Sequence, residues 1–279
     1  MITRNGGWSL STPPLGVPFE ANRRSPQAVG LAGWWPSIRY GNAVRRPDLA
    51  GVWPGTPVNT ALVSSADPVA GVVSGNHNST SYISLGVLPY TASVGALTIA
   101  AWVRRSASNV TIQYGQRVGV NPFGVQVFSD GNIYIGVDLN NEGGYASAPG
   151  VATQHVCMVF DGAGSGNAGR LKLYVDGSQR TLAFFGTTPA TTYAYTSTFD
   201  LGALGNGLNP SGGGYIGDVR IYNRALSAAE VFALYAPQSR WELYAPLFGR
   251  GQAAASGVAG NIFHSGIFGS GIFSEGVAA

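Results

Sequence analysis

Thirteen carboxylates, three histidines and one cysteine are all that this 279-residue sequence offers for acid–base, metal or nucleophilic chemistry. Hydrolysis of a glycosidic bond asks for two carboxyl groups about 5–10 Å apart, which on a strand means two positions apart on one face. No Glu-x-Asp-x-Glu or similar pair occurs, and Glu20, Glu142, Glu230, Glu242 and Glu275 are scattered. His77, His155 and His264 have no cysteine or carboxylate at metal-ligand spacing, and no serine sits in a nucleophile elbow. His155 opens an apolar run and reads as a packed structural residue rather than a base. Cys157, in the same run, reads as a small buried hydrophobe, and a lone cysteine gives no disulfide framework. The sequence therefore predicts a protein without a catalytic site.

Such side chains as it has must be held by a large core. Hydrophobic residues make up 45% and aromatics 11% of the chain, enough for one all-β domain, while only 10% is charged. With 41 glycines, the surface must be built from Ser, Thr, Asn, Gly and backbone, which suits contact with protein or sugar. The net charge of +3 is spread over basic runs no longer than two residues, which excludes a nucleic-acid groove. No apolar run is long enough to span a membrane, and MITRNGGWSLSTPPLG lacks the charge and apolar core of a signal peptide. Synthesis in a reducing cytoplasm fits. The two Asn-x-Thr sequons at Asn78 and Asn109 are then coincidental.

Two local signals follow one another without a break in GYIGDVRIYNRALSAAEVFALYAP, from Gly214 to Pro237. Alternation puts Val219 and Ile221 on one face and Asp218 and Arg220 on the other, which predicts a half-buried strand. Ser227 and Glu230 have the spacing of a capping box, and Leu226 is placed to staple onto Val231, so a short helix should begin at Ala228 and stop at Pro237. Upstream, strands are expected near 31–35, 80–85, 97–105, 110–114, 124–128, 132–137, 155–160, 171–175, 179–182 and 198–201. Asp130-Gly131 and Asp176-Gly177 mark hairpins, and the proline-rich stretch 37–68 is unfit for an interior strand. Glycines make 161–169 a loop.

The segment VRIYNRALSAAEVFALY resembles the closing strand and helix of the laminin-G-like, concanavalin A-like jelly-roll family. Gly33-Trp34-Trp35-Pro36, Ile99 to Val103, His155 to Gly162 and Leu171 to Gly177 match the same family in order, over roughly residues 28 to 236. The family usually carries an acid where Gly217 stands; here only the neighbouring Asp218 is acidic. The resemblance implies an all-β, concanavalin A-like jelly-roll β-sandwich with one short C-terminal helix. It also implies possible calcium ligands in the loop residues Asp130, Asp138, Asp161 and Asp176, each of which has a competing role as a turn residue. No other cofactor is expected. Trp34, Trp35, Trp53 and Tyr145 are the aromatics able to stack on a sugar ring, although Trp in a sandwich is mostly core, and no glycan site is assigned.

Two arms flank the sandwich. Residues 1–27 read as an extended N-terminal arm anchored by Trp8 and Phe19. Residues 237–279 form a C-terminal arm, in which Trp241 and Tyr244 belong to a Trp-x-Leu-aromatic-x-Pro segment resembling one found in tailed-phage proteins. Ile262-Phe263, Ile267-Phe268 and Ile272-Phe273 then repeat with a period of five. Burying these six side chains gains roughly 9–18 kcal/mol, against about 20–40 kcal/mol for ordering some 20 residues. The repeat therefore needs a partner surface, either a neighbouring subunit's sheet edge or the chain's own domain. All eight residues are candidate assembly contacts. Two functional readings follow. One is a structural virion protein of a tailed phage, a capsid decoration or cement (or fibre) subunit, made in the host cytoplasm and joined to other virion proteins as a homo-oligomer, with a trimer assumed. The alternative is a carbohydrate-binding, lectin-like adhesion or receptor-binding module.

Overall fold

The computed structural model describes residues 3–4, 8–9, 19–36, 48–59, 64–66, 73–77, 80–147, 150–207 and 211–246, with backbone alone at 3–4, 8–9, 64–66, 73–77 and 246. In chain order the strands are β1 (Thr3–Arg4), β2 (Trp8–Ser9), β3 (Phe19–Ala21), β4 (Leu31–Trp35), β5 (Thr56–Val58), β6 (Ser64–Ala66) and β7 (Val73–His77). There follow β8 (Tyr82–Ser84), β9 (Ala96–Arg105), β10 (Ile112–Val118), β11 (Asn121–Val127), β12 (Asn132–Asp138), β13 (Glu142–Ser147) and β14 (Gln154–Asp161). Helix α1 (Gly166–Arg170) precedes β15 (Leu171–Val175), β16 (Ser178–Arg180), β17 (Ala183–Phe185), β18 (Asp200–Leu201) and β19 (Gly214–Tyr222); α2 (Ala228–Tyr235) and β20 (Tyr244–Pro246) close the series.

Two sheets make a sandwich. Sheet one runs β17-β13-β12-β11-β10-β18-β8-β5, and sheet two runs β16-β15-β14-β9-β19-β7-β6, with β4 also paired to β19. Proline-bearing β5 lies at the outer edge of sheet one, where its missing N–H costs no ladder bond. Period-two alternation sends Leu97, Ile99, Ala101 and Val103 of β9 and Leu171, Leu173 and Val175 of β15 into one core, opposite Ile112, Tyr114, Val125, Ile133 and Ile135 of sheet one. The Asp176-Gly177 turn has φ of 52° and 74°, the left-handed pair that joins twisted strands tightly.

Sheet two is buried on both faces. Its outer side carries Ala100, Cys157, Val159, Tyr174 and Tyr222, which pack against Leu226, Val231 and Leu234 of the α2 region. The capping box is formed: Ser227 Oγ accepts from the Glu230 amide at 3.3 Å, and Glu230 accepts from the Ser227 amide at 2.9 Å. Beside α2, Phe19, Trp241, Leu243 and Tyr244 cover Trp34 and Trp102, and β3 pairs with β20. Residues 19–27 and 237–246, expected as parts of the arms, are thus packed on the sandwich, with Phe19 as the anchor. Residues 247–279 lie outside the described residues.

Several expectations change. The strand Gly214–Tyr222 is not half-buried, because Asp218 and Arg220 are 4% and 1% exposed. It also bulges: Gly217 pairs with Trp102 and Arg220 with Ala100, so Asp218 and Val219 together face Ala101. That extra residue lets Ile216 and Val219, three apart, both enter the core. A second helix, α1, stands where the glycine-rich loop was expected, fixed by Arg170 bonds to Gly164 O and Thr188 O and by Asn167 Nδ2 to Gly186 O. The expected strand 179–182 is shortened to β16, which ends sheet two, and residues 181–182 cross to β17, which ends sheet one. Strand β13, Glu-Gly-Gly-Tyr-Ala-Ser, shows no apolar alternation and exists because β12 and β17 pair with both of its edges.

Asp218 and Arg220 form a buried ion pair at 2.8 Å. Removing one partner of such a pair strands the other charge, so Asp218→Asn is expected to cost roughly 3–5 kcal/mol in urea unfolding. Adding Arg220→Met should return part of that loss, a non-additivity a double-mutant cycle measures. Arg224→Gln, at the exposed Arg224–Glu230 pair, should cost about 1 kcal/mol or less.

Candidate functional site

The outer face of sheet one is built by strand parity. Because Ile112, Tyr114, Val125, Val127, Ile133 and Ile135 fill the core, the residues between them face outward. Register then aligns Gln113, Gln126, Tyr134 and Tyr145 in one row across β10 to β13. The next row is Gly115, Gly124, Gly136 and Gly143, four buried glycines aligned across the same strands. Gly124 cannot be replaced without strain: its φ is 137°, and a Cβ would run into the Tyr114 carbonyl oxygen. Phe185 pairs with Gly143, and its ring closes against that glycine.

The row ends in an aromatic platform. Tyr134 and Tyr145 stack with centroids 5.1 Å apart and planes at 29°, and Phe128 meets Tyr134 edge-on at 5.8 Å. Tyr145 and Phe128 are 36% and 40% exposed. The Tyr134 hydroxyl donates to Asp130 Oδ2 at 2.6 Å, and Asp130 also accepts from the Asn132 amide and side chain. Burial works against the Asp130 charge, but the bonds from Tyr134 and Asn132 outweigh it and hold the carboxyl below its usual range. Accepting that proton raises the Tyr134 phenol, so the ring is a neutral, fixed surface at ordinary pH. Gln126 Nε2 donates to Gln113 Oε1 at 2.7 Å, setting an oriented amide at the inner end of the platform. A flat aromatic surface beside an amide can hold a ring with one apolar face and polar edges.

The sequence candidates are dispersed. Trp34 and Trp35 are buried and Trp53 is partly buried against the core, so of the four aromatics named for stacking Tyr145 is the most exposed. Trp241 and Tyr244, named as assembly contacts, are buried within the chain itself: Tyr244 donates to Asp218 Oδ1 at 2.9 Å, and Trp241 packs on Tyr244 at 5.3 Å. Ile262, Phe263, Ile267, Phe268, Ile272 and Phe273 lie outside the described residues. The four loop aspartates are spent on their turns: Asp130 as above, Asp138 on Asn140 and Asn141, Asp161 on Ala163, and Asp176 on the His155 amide. Among the described residues no three of His, Cys, Asp and Glu gather where a metal could sit. Asp138 and Glu142 pair across β12 and β13, with Glu142 accepting from the Tyr193 hydroxyl at 2.8 Å. Sequence reasoning missed Phe128, Tyr134 and Gln126; their alternation with Val125, Val127, Ile133 and Ile135 was the available signal.

Residues 76–232, more than half of the chain, match the family model of the concanavalin A-like lectin/glucanases superfamily. The chain belongs to that superfamily. Among solved structures it is similar to the sialidase of Trypanosoma rangeli in complex with 2,3-difluorosialic acid, at 16% identity and a TM-score of 0.54 over 82% of this chain and 37% of that one. It is also similar to the binding domain of botulinum neurotoxin DC in complex with SialylT, at 13% identity and a TM-score of 0.53 over 75% of this chain and 51% of that one. The same neurotoxin domain in complex with rat synaptotagmin II matches equally. The chain spans about a third to a half of these structures, and at such identities the likeness is one of fold. No curated protein sequence matches this one significantly.

His155, set aside as a base, is buried between Trp102 and Tyr235, with ring centroids at 5.2 and 6.4 Å. Its Nδ1 has no hydrogen-bond partner. Burial first, then the Arg220 charge, lower its pKa from 6.5 to about 3. Above pH 6.5 the imidazole is neutral folded or unfolded; between 6.5 and about 3 only the unfolded chain takes up the proton, so stability falls with pH. From pH 7 to 5 the loss is about 2 kcal/mol. His155→Leu should flatten that part of the stability curve, as urea unfolding at the two pH values measures.

Proposed function

We propose that the protein is a carbohydrate-binding module that holds a glycan on the outer face of sheet one without transforming it. The observation that carries this reading is the stacked, half-exposed Tyr134–Tyr145 pair beside Gln126. Pyranose rings present C–H groups on one face and hydroxyls at their edges, which an aromatic plane flanked by amide groups matches. Rigid strands supply the platform, so binding costs little ordering. Membership of a lectin/glucanase superfamily supports the same reading, and two fold neighbours were solved with 2,3-difluorosialic acid and SialylT.

The second reading is a virion subunit that assembles through its arms. Its support is the low charge and the Ile-Phe repeat at 262–273, since Trp241 and Tyr244 are occupied inside the fold. Light scattering on the full chain and on a chain ending at Ser256 tests it: an assembly arm gives an oligomer that falls to monomer on truncation, and a monomer in both removes the support.

For the glycan site, a glycan array should give defined hits with the full chain. Tyr145→Ala should weaken the best hit by about tenfold or more, a loss of roughly 1.4 kcal/mol, while its partly exposed ring leaves thermal stability almost unchanged. A blank array, or hits indifferent to Tyr145→Ala and Tyr134→Ala, overturns the assignment.

A further inference from the structure

At the open side of the sandwich, the chain leaves sheet two at Arg180 and rejoins sheet one at Ala183. The crossing leaves a cleft of about 340 Å³ with Leu171, Leu182 and Phe184 as its apolar surface and Gln179, Arg180 and Thr181 as its polar one. Its volume is in the range that small-ligand sites occupy. Arg170, at the same edge, is engaged with Gly164 O and Thr188 O. Arg180 is different. Among the described residues its guanidinium makes no hydrogen bond or ion pair, and its Nε is shielded from water with no acceptor. Asp176 feels the Arg180 charge, but no ion pair joins the two, and Asp176 Oδ1 accepts from the His155 amide at 2.9 Å. A guanidinium whose Nε is shielded from water without an acceptor is an unfavourable arrangement that an anion relieves.

We propose that this cleft is a second binding site, for a small amphipathic carboxylate whose acid group pairs with Arg180 and whose apolar body lies on Leu171, Leu182 and Phe184. The hydrocarbon lining selects against a polyhydroxylated body, which separates this site chemically from the face of sheet one. Gln179 and Thr181 add neutral donors at the polar end, so a carboxylate fits better than a doubly charged phosphate. Leu182 and Phe184 flank Ala183, the register partner of Tyr145, but turn to the core side of the sheet, so the site does not rest on the glycan reading.

Octanoate and octanol, which share a chain and differ in charge, are the probes, titrated at millimolar concentration into the full chain by calorimetry. Octanoate should bind at least about tenfold more tightly than octanol, the worth of one charge-assisted hydrogen bond. Arg180→Gln should erase that difference, and Leu182→Trp, which fills the cleft, should remove binding of both. Tyr145→Ala should leave octanoate binding intact. If octanoate and octanol bind alike, the cleft is merely apolar and the proposal fails; it fails equally if neither binds, or if Arg180→Gln leaves the octanoate affinity unchanged while circular dichroism shows the variant folded.

Discussion

A charge buried in a protein must be paired, and in this molecule one carboxylate sets that requirement for three separate parts of the chain. Asp218 lies under the second layer of sheet two with φ of 46°, at the bulge of the strand between β9 and the β4/β7 edge. Its Oδ1 accepts from Trp34 Nε1 at 2.7 Å and from the Tyr244 hydroxyl at 2.9 Å, and its Oδ2 takes the Arg220 guanidinium. Arg220 in turn donates to Gln27 Oε1 at 2.7 Å and to Arg240 O at 3.0 Å. Gln27 passes the connection to Ala233 O and Ser239 O at the end of α2. The N-terminal segment, the first long strand and the C-terminal segment are therefore held by one hydrogen-bonded cluster. Its members satisfy one another, which is the condition under which a buried polar network specifies a structure instead of weakening it.

That arrangement divides the labour between the two sheets. Sheet two spends its outer face on α2, β3 and β20, and its buried His155 and Cys157 are held in the neutral form by the same desolvation. Sheet one leaves Gln126, Tyr134 and Tyr145 without such a layer, and there the aromatic row stands partly in water. A binding surface on a rigid sheet needs a closed side to anchor it and an open side to use. The double-sided burial of sheet two supplies the first, and the outward parity of β10 to β13 supplies the second.

Much of this was legible in the residues. Alternation in Leu97 to Arg105, the apolar run His155 to Phe160, the Asp-Gly turns and the Ser227–Glu230 box each encode a local structure at a spacing of two, three or four residues, and each is present. The binding face was less legible. Tyr145 shares its sequence signal with Trp34 and Trp35, which are core, and with Trp53, which is half-buried, because an aromatic side chain carries no sign of which layer will cover it. Tyr134, Gln126 and the four aligned glycines come from four strands, and only register brings them together.

The sequence by itself determined the periodicities, the turns and the helix cap, since these depend on sterics and hydrogen bonds within a few residues, and its resemblance to a known family implied the jelly-roll sandwich. Tertiary structure alone decided the fate of polar groups. Asp218 and Arg220 read as a solvent-facing stripe and are buried, because residues 19–27 and 237–246 return to cover them from more than a strand's length away in sequence. Trp241 and Tyr244 read as contacts for another molecule and are this chain's own cover. Burial is a property of what lies opposite a residue, and nothing in the local pattern names that neighbour.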